Sequence, residues 1–276
     1  MSKRKSQSNE DNVLERIRRH LEFLKLEHIL EHLDAHLVWA TNEGAAPSTL
    51  LERIFGEQAA IRLEHRIQRR LQQSGLKEDN KTLEAFDWKF QPKLDKRIVL
   101  ELANFEFVRK FNDVLFTGKT GTGKSHILQA LTLRACQEQI YVRYARCVDL
   151  LNDLFAGLAD DTYLQRMKRW AAPELLVIDD VGLGQVKKRG DEPTAAHALF
   201  DLLDRRHGKA STAMSSNIAL AQWGRYLGDA TLASAILDRV AMRAVRINID
   251  GPSYRLHVAR ERAAIDSTET DQEATT

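Results

Sequence analysis

Eight consecutive residues, Gly118-Lys119-Thr120-Gly121-Thr122-Gly123-Lys124-Ser125, constrain the fold of this chain more than any other feature. They follow the short apolar run Val114-Leu115-Phe116-Thr117 and open a helical pattern that reaches to about Glu138. A strand, a glycine-rich loop ending in Lys-Ser and a helix, in that order, make a cradle for phosphate. Glycines let the backbone curl so that successive N–H groups face inward, and the helix N-terminus adds the positive end of its dipole. All eight residues are therefore expected to surround a nucleotide polyphosphate, with Lys124 reaching the outer phosphates and the Ser125 hydroxyl holding Mg2+.

Such a loop belongs in an α/β domain, and the rest of the sequence agrees. Ile140–Tyr144, Leu175–Ile178, Thr212–Ser216 and Val245–Ile249 read as further strands, with helical segments between them. Strands alternating with helices predict a mostly parallel sheet covered on both faces. Leu175-Leu176-Val177-Ile178 runs directly into Asp179-Asp180. A buried strand ending in acid carries carboxylates to the carboxyl edge of the sheet, where the phosphate loop also lies. Asp179 is expected in the Mg2+ shell, and Asp180 is expected to orient or deprotonate an attacking water.

Ahead of this domain, the spacing of Leu14, Ile17, Leu21, Leu24, Leu30, Leu33 and Leu37 predicts helix from Val13 to Leu37. Gly44 and Pro47 break it, and a further helix, capped by Ser48 or Thr49 with Glu52 near the capping-box position, continues to about Gln73. The expected organisation is a polar, disordered start over 1–12, a helical domain over 13–75, a linker over 76–112, the α/β domain over 113–262 and a disordered acidic tail over 263–276. Of the 276 residues 43% are apolar, enough for a core, and the formal charge of +2 leaves any nucleic-acid signal to local clusters. Two cysteines, Cys136 and Cys147, lack a zinc or disulfide spacing. With no apolar signal core and no run of membrane-spanning length, the chain reads as cytoplasmic.

The ordered set of phosphate loop, Asp179-Asp180, Ser215-Ser216-Asn217 and Asp238-Arg239 resembles the AAA+ ATPases. It is most similar to the IstB-like helper proteins of insertion-sequence transposition, which are related to helicase loaders. Lys81–Asp87, Ala235–Arg239 and Gly251-Pro252-Ser253-Tyr254-Arg255 add to the likeness. The resemblance implies a P-loop NTPase fold with a small N-terminal helical domain, ATP and Mg2+ as cofactors, and ATP hydrolysis stimulated by DNA or a partner. It implies a homo-oligomer with ATP at the subunit interfaces, a transposase partner, and duplex DNA bound with little sequence preference. By position, Asn217 would be the amide that holds the attacking water, and Arg239 the arginine finger given to a neighbouring subunit. Arg255 would be the second sensor, with Arg243 and Arg246 as competitors. Trp88 and Phe90 lie where such proteins approach adenine. Asp180 departs from the glutamate common in AAA+ proteins. A replicative helicase loader of the same branch and, more remotely, a P-loop phosphotransferase are the alternatives.

Arg62, Arg66, Arg69 and Arg70 fall at helical spacing, away from Leu63, Ile67 and Leu71. Such a stripe can neutralise backbone phosphates without reading bases, and the resemblance favours that over a merely solvated face. Lys187-Lys188-Arg189, after the acidic strand end, is a second DNA candidate. His28, His32 and His36 recur every four residues, but no HExxH sequence precedes them, so an exposed helix face is expected there rather than a metal site.

Overall fold

The computed structural model describes residues 2–77, 81–184 and 194–262, and the chain divides into two compact units, Met1–Gln68 and Arg69–Thr276. The first holds α1 (Ser2–Phe23), α2 (Glu27–Glu43) and most of α3 (Pro47–Ser74), with Ile29, Leu33 and Ile54 buried. The helix expected over 13–37 is two helices. Lys25 turns left-handed at φ 53°, and the Leu26 amide reaches back to the Leu21 carbonyl at 2.9 Å, closing α1. Helix α1 begins at Ser2, within the stretch expected to be disordered. No glycine or proline interrupts residues 2–23, and extending a nucleated helix costs little. Pro47, whose fixed φ suits a first helical position, opens α3, so neither Ser48 nor Thr49 is its cap. The three histidines do not share an exposed face either. His36 is buried, and its Nε2 lies 3.3 Å from the Glu57 carboxylate of α3, with His28 Nε2 at 3.6 Å.

The second unit runs through α4 (Lys96–Leu102), α5 (Glu106–Arg109), β1 (Asp113–Thr117), α6 (Lys124–Gln137), β2 (Val142–Arg146), α7 (Cys147–Ala159) and α8 (Tyr163–Ala171). It continues with β3 (Leu175–Val181), α9 (Ala195–Arg206), β4 (Ser211–Ser216), α10 (Trp223–Leu227), α11 (Ala230–Arg243) and β5 (Ala244–Asn248), and residues 254–262 are helical. Among the described residues the strands form one parallel sheet in the order β2-β3-β4-β1-β5. Alternation along each strand divides the core. Val114, Phe116, Leu175, Val177 and Ala213 pack with α6 on one face, while Leu115, Leu176, Ile178 and Met214 pack with α7 to α11 on the other.

Two sequence expectations change here. Strand β2 starts at Val142 rather than Ile140, because Gln139 is left-handed at φ 61° and the Ile140 amide is spent on the Ala135 carbonyl, capping α6. Residues 81–112, expected as part of a linker over 76–112, are core. Leu83, Phe86, Leu94, Val99, Leu102, Phe105, Phe107 and Val108 are buried in the α6-side core, covering a sheet face that would otherwise be exposed to water.

Candidate active site

Strand β1 delivers the phosphate loop at the carboxyl edge of the sheet. Gly118 has φ 141°, and a Cβ there would lie 2.3 Å from the Ile249 carbonyl oxygen. Gly123, the N-cap of α6, has φ 101°, and its Cβ would meet the Phe86 ring at 2.5 Å. Both positions therefore exclude larger residues on conformation and on space. The chain after β5 holds the loop from outside. The Ile249 amide donates to the Thr117 carbonyl at 2.8 Å, and the Tyr254 amide to the Gly121 carbonyl at 2.9 Å. Lys124 is 2% exposed, and its ammonium donates to the carbonyls of Gly118 (2.8 Å) and Lys119 (2.7 Å). Burial lowers its pKa, and Asp180 and Asp179 oppose that shift.

On the far side of β4, strand β3 is irregular where it matters. Its register against β4 shifts between Ile178 and Val181, and Asp180 inside the shift is left-handed at φ 59°. Bulges of this kind re-aim a side chain and are common beside active sites. The Asp180 amide donates to Ser215 Oγ at 2.9 Å and to Asp179 Oδ1 at 3.0 Å. Asn217, just past β4, donates its Nδ2 to Asp180 Oδ1 at 2.6 Å. Burial raises the Asp180 pKa and Asp179 adds to the rise, while Asn217, Lys124 and Arg255 pull it back.

These groups meet in one pocket of about 540 Å³, which Thr120 to Ser125, Asp180, Asn217 and Arg255 line together with Phe86, Asp87, Phe90, Gln91 and Tyr254. The size suits a small-molecule ligand. Phe90 of the pocket wall stacks on His257 (4.8 Å) and stands edge-on to Tyr254 (5.2 Å). Ser125 and Asp180 offer hard oxygen donors in the pocket, with the Asp179 carboxylate adjoining, a set that fits Mg2+ shared with phosphate oxygens. No cluster of three or more His, Cys, Asp or Glu residues able to hold a metal by itself occurs among the described residues.

Several expectations need correction. Asp179 does not line the pocket. It adjoins the pocket at 1% exposure, and its carboxylate accepts from the Tyr144 and Ser215 hydroxyls and the Asp180 amide, which leaves one of about four acceptor sites not taken among the described residues. Trp88 is packing rather than lining, with its Nε1 bonded to the Leu83 carbonyl at 3.2 Å and its ring 4.7 Å from that of Phe86; Phe90 does reach the pocket. Of the competing arginines, Arg255 is in the pocket, Arg246 is exposed on β5, and the Arg243 side chain lies outside the described residues. Arg239 does not line the pocket of its own chain. Its guanidinium binds the Asp204 carboxylate and lies 4.6 Å above the Phe200 ring. Arg62, Arg66 and Arg69 are exposed on α3, whereas Arg70 is half-buried. Lys187, Lys188 and Arg189 fall outside the described residues, as does the acidic tail. Gln91 escaped the sequence reading. It is 3% exposed and bonds the Pro252 carbonyl at 2.9 Å, across 161 positions, a separation that leaves no local pattern to read.

The sequence matches the family described as IstB-like ATP binding protein over residues 19–262. The chain belongs to that family. Among its IstB-like relatives is a Bacillus thuringiensis subsp. berliner protein named for ATP binding in insertion sequence IS232. It is 28% identical over 252 residues, 91% of this chain and 98% of the relative. A Pseudomonas aeruginosa protein, named likewise for insertion sequence IS21, is 31% identical over 242 residues, 88% of this chain and 89% of the relative. Among solved structures, AMPPCP-bound DnaA from Aquifex aeolicus aligns at a TM-score of 0.53 with 20% identity, over 67% of this chain and 55% of that one. Domain III of the Thermotoga maritima replication initiation protein DnaA aligns at 0.52 with 22% identity, over 69% and 76%. The IstB-like chain thus has the P-loop NTPase fold of these initiators. No helix among its described residues is long and apolar enough to cross a membrane.

Proposed function

We propose that this IstB-like protein is an ATPase that assembles with copies of itself on duplex DNA and assists the transposase of an insertion sequence. The observation that carries the enzymatic part is the Asp180–Asn217 hydrogen bond of 2.6 Å on the wall of the pocket that the phosphate loop lines. A carboxylate with a raised pKa, held by an amide beside bound phosphate, can orient a water and accept its proton. Loop amides and Lys124 would bind the triphosphate, and Ser125 with Asp179 would hold Mg2+, which supplies charge neutralisation on the phosphate oxygens. Arg255 lines the same pocket and would sense the outer phosphates.

Arg239, bonded outside its own chain's pocket, would serve a neighbour's. Exposed Arg62, Arg66 and Arg69 would bind backbone phosphates, a role that asks nothing of base sequence. The insertion-sequence names of the relatives support a transposase as the partner. The test is ATP turnover by the full chain with and without duplex DNA. The reading expects DNA to raise turnover and Arg239→Ala to abolish the rise. Turnover indifferent to both DNA and Arg239 contradicts it.

A further inference from the structure

The buried Asp179 carboxylate has a defined set of donors. Oδ1 accepts from the Ser215 hydroxyl of β4 and from the Asp180 amide, while Oδ2 accepts from the Tyr144 hydroxyl of β2 at 2.6 Å. Gln129 of α6 donates to that same phenol oxygen at 3.1 Å, and Gln129 lines the pocket. A chain of hydrogen bonds therefore runs from the pocket wall through Tyr144 to Asp179. A carboxylate offers about four lone-pair sites. Among the described residues three are taken, two on Oδ1 and one on Oδ2, so the remaining site is on the oxygen that Tyr144 orients.

We propose that Tyr144, supported by Gln129, is a positioning residue for Asp179, holding the carboxylate in the orientation from which it would serve a magnesium ion bound with the nucleotide. The proposal rests on the reading of Asp179 as the magnesium-holding carboxylate. Ligating carboxylates are commonly tuned by such outer hydrogen bonds, and losing one costs about 10- to 100-fold in metal affinity or activity. Tyr144 touches neither nucleotide nor metal in this account. Its effect is therefore on the metal-dependent part of binding alone.

The test measures the affinity of a fluorescent ATP derivative for the full chain in EDTA and across a magnesium titration, for wild type and Tyr144→Phe, which keeps the ring and removes the hydroxyl. The expected result is unchanged affinity in EDTA and a magnesium midpoint raised by about tenfold. Bound Mn2+, read by electron paramagnetic resonance in the presence of nucleotide, should weaken in step. A midpoint equal to wild type, in a variant that melts like wild type, overturns the proposal. If Tyr144→Phe does not fold, Gln129→Leu is read instead as the ratio of affinities with and without magnesium. A fall in that ratio supports the proposal and an unchanged ratio overturns it. Wild-type protein that gains affinity with magnesium yet never releases phosphate sinks the ATPase reading while leaving Tyr144 fully tested. Wild-type protein that gains nothing from magnesium overturns the positioning role itself.

Discussion

Asp180 combines three unusual conditions for an acid: a left-handed backbone, a half-buried side chain and an amide donor held at 2.6 Å. Burial first, and the neighbouring Asp179 second, raise its pKa, and the Asn217 amide is one of the groups holding the rise in check. The sign of a perturbation follows. A base works when ionised, so hydrolysis falls on the acid side as the pH drops through the Asp180 pKa, which is raised from that of an ordinary Asp. Asn217→Ala removes a group that favours the charged form, so the acid limb of the pH–rate profile should move to higher pH, along with a loss of maximal rate. A limb that stays in place while the rate falls would show that Asn217 does not act on Asp180. Residues of this kind were legible from position because both sit at strand ends, in an order the phosphate loop anchors. Tyr144 and Gln91 were not. A Tyr in a half-buried strand and a Gln after an aromatic run look ordinary until the sheet and the Gly251-Pro252 turn bring their partners to them.

On the α7 to α11 face, a clasp of hydrogen bonds joins α7 to α8. Asp153 of α7 accepts from Arg166 (2.6 Å), Arg169 (2.7 Å) and Trp170 Nε1 (2.7 Å) of α8. Burial alone would raise its pKa, but these donors, Trp170 and Arg169 foremost, outweigh burial and leave it lowered. A carboxyl depressed in the folded state contributes stability that is present above its unfolded pKa and is lost as pH falls through the folded one. Asp153→Asn should therefore cost about 2 kcal/mol near neutral pH and much less in acid, measured by urea unfolding across pH. An equal loss at all pH values would assign the clasp's role to shape rather than charge. At this scale the strands were legible as short continuous apolar runs, since both faces of the sheet lie under helices. Sequence pattern failed where an element's end is set by a cap, as at Gln139 and Ile140, and over 76–112, where short helices joined by turns carry no sustained period.

In the whole molecule, strand order places β4 between the loop strand β1 and the acidic strand β3. Residues of β4 and its end thus serve both sides: Ser215 bonds Asp179, and Asn217 bonds Asp180. Sequence alone does not supply that order, because any permutation of parallel strands leaves each strand's own pattern unchanged. The arrangement also leaves Arg239 outside the pocket of its own chain, occupied with Asp204 and Phe200. If ATP is cleaved between subunits, Lys124→Ala and Arg239→Ala are each inactive but complementary. Arg239→Ala should lower turnover by about 10³-fold, as loss of a finger does elsewhere. Mixing the two variants on DNA should restore measurable phosphate release, since some interfaces then join an intact loop to an intact Arg239. A mixture as inactive as its components would refute the shared site.

Every role assigned to the site requires Mg-ATP in the loop between Gly118 and Ser125, and titration calorimetry of the full chain with ATP and magnesium tests that directly. Wild-type protein should release heat at one nucleotide per chain, and Lys124→Ala should bind about 10- to 100-fold more weakly for want of one charged hydrogen-bond donor. No heat from the wild type, or equal affinity in the variant, would contradict it.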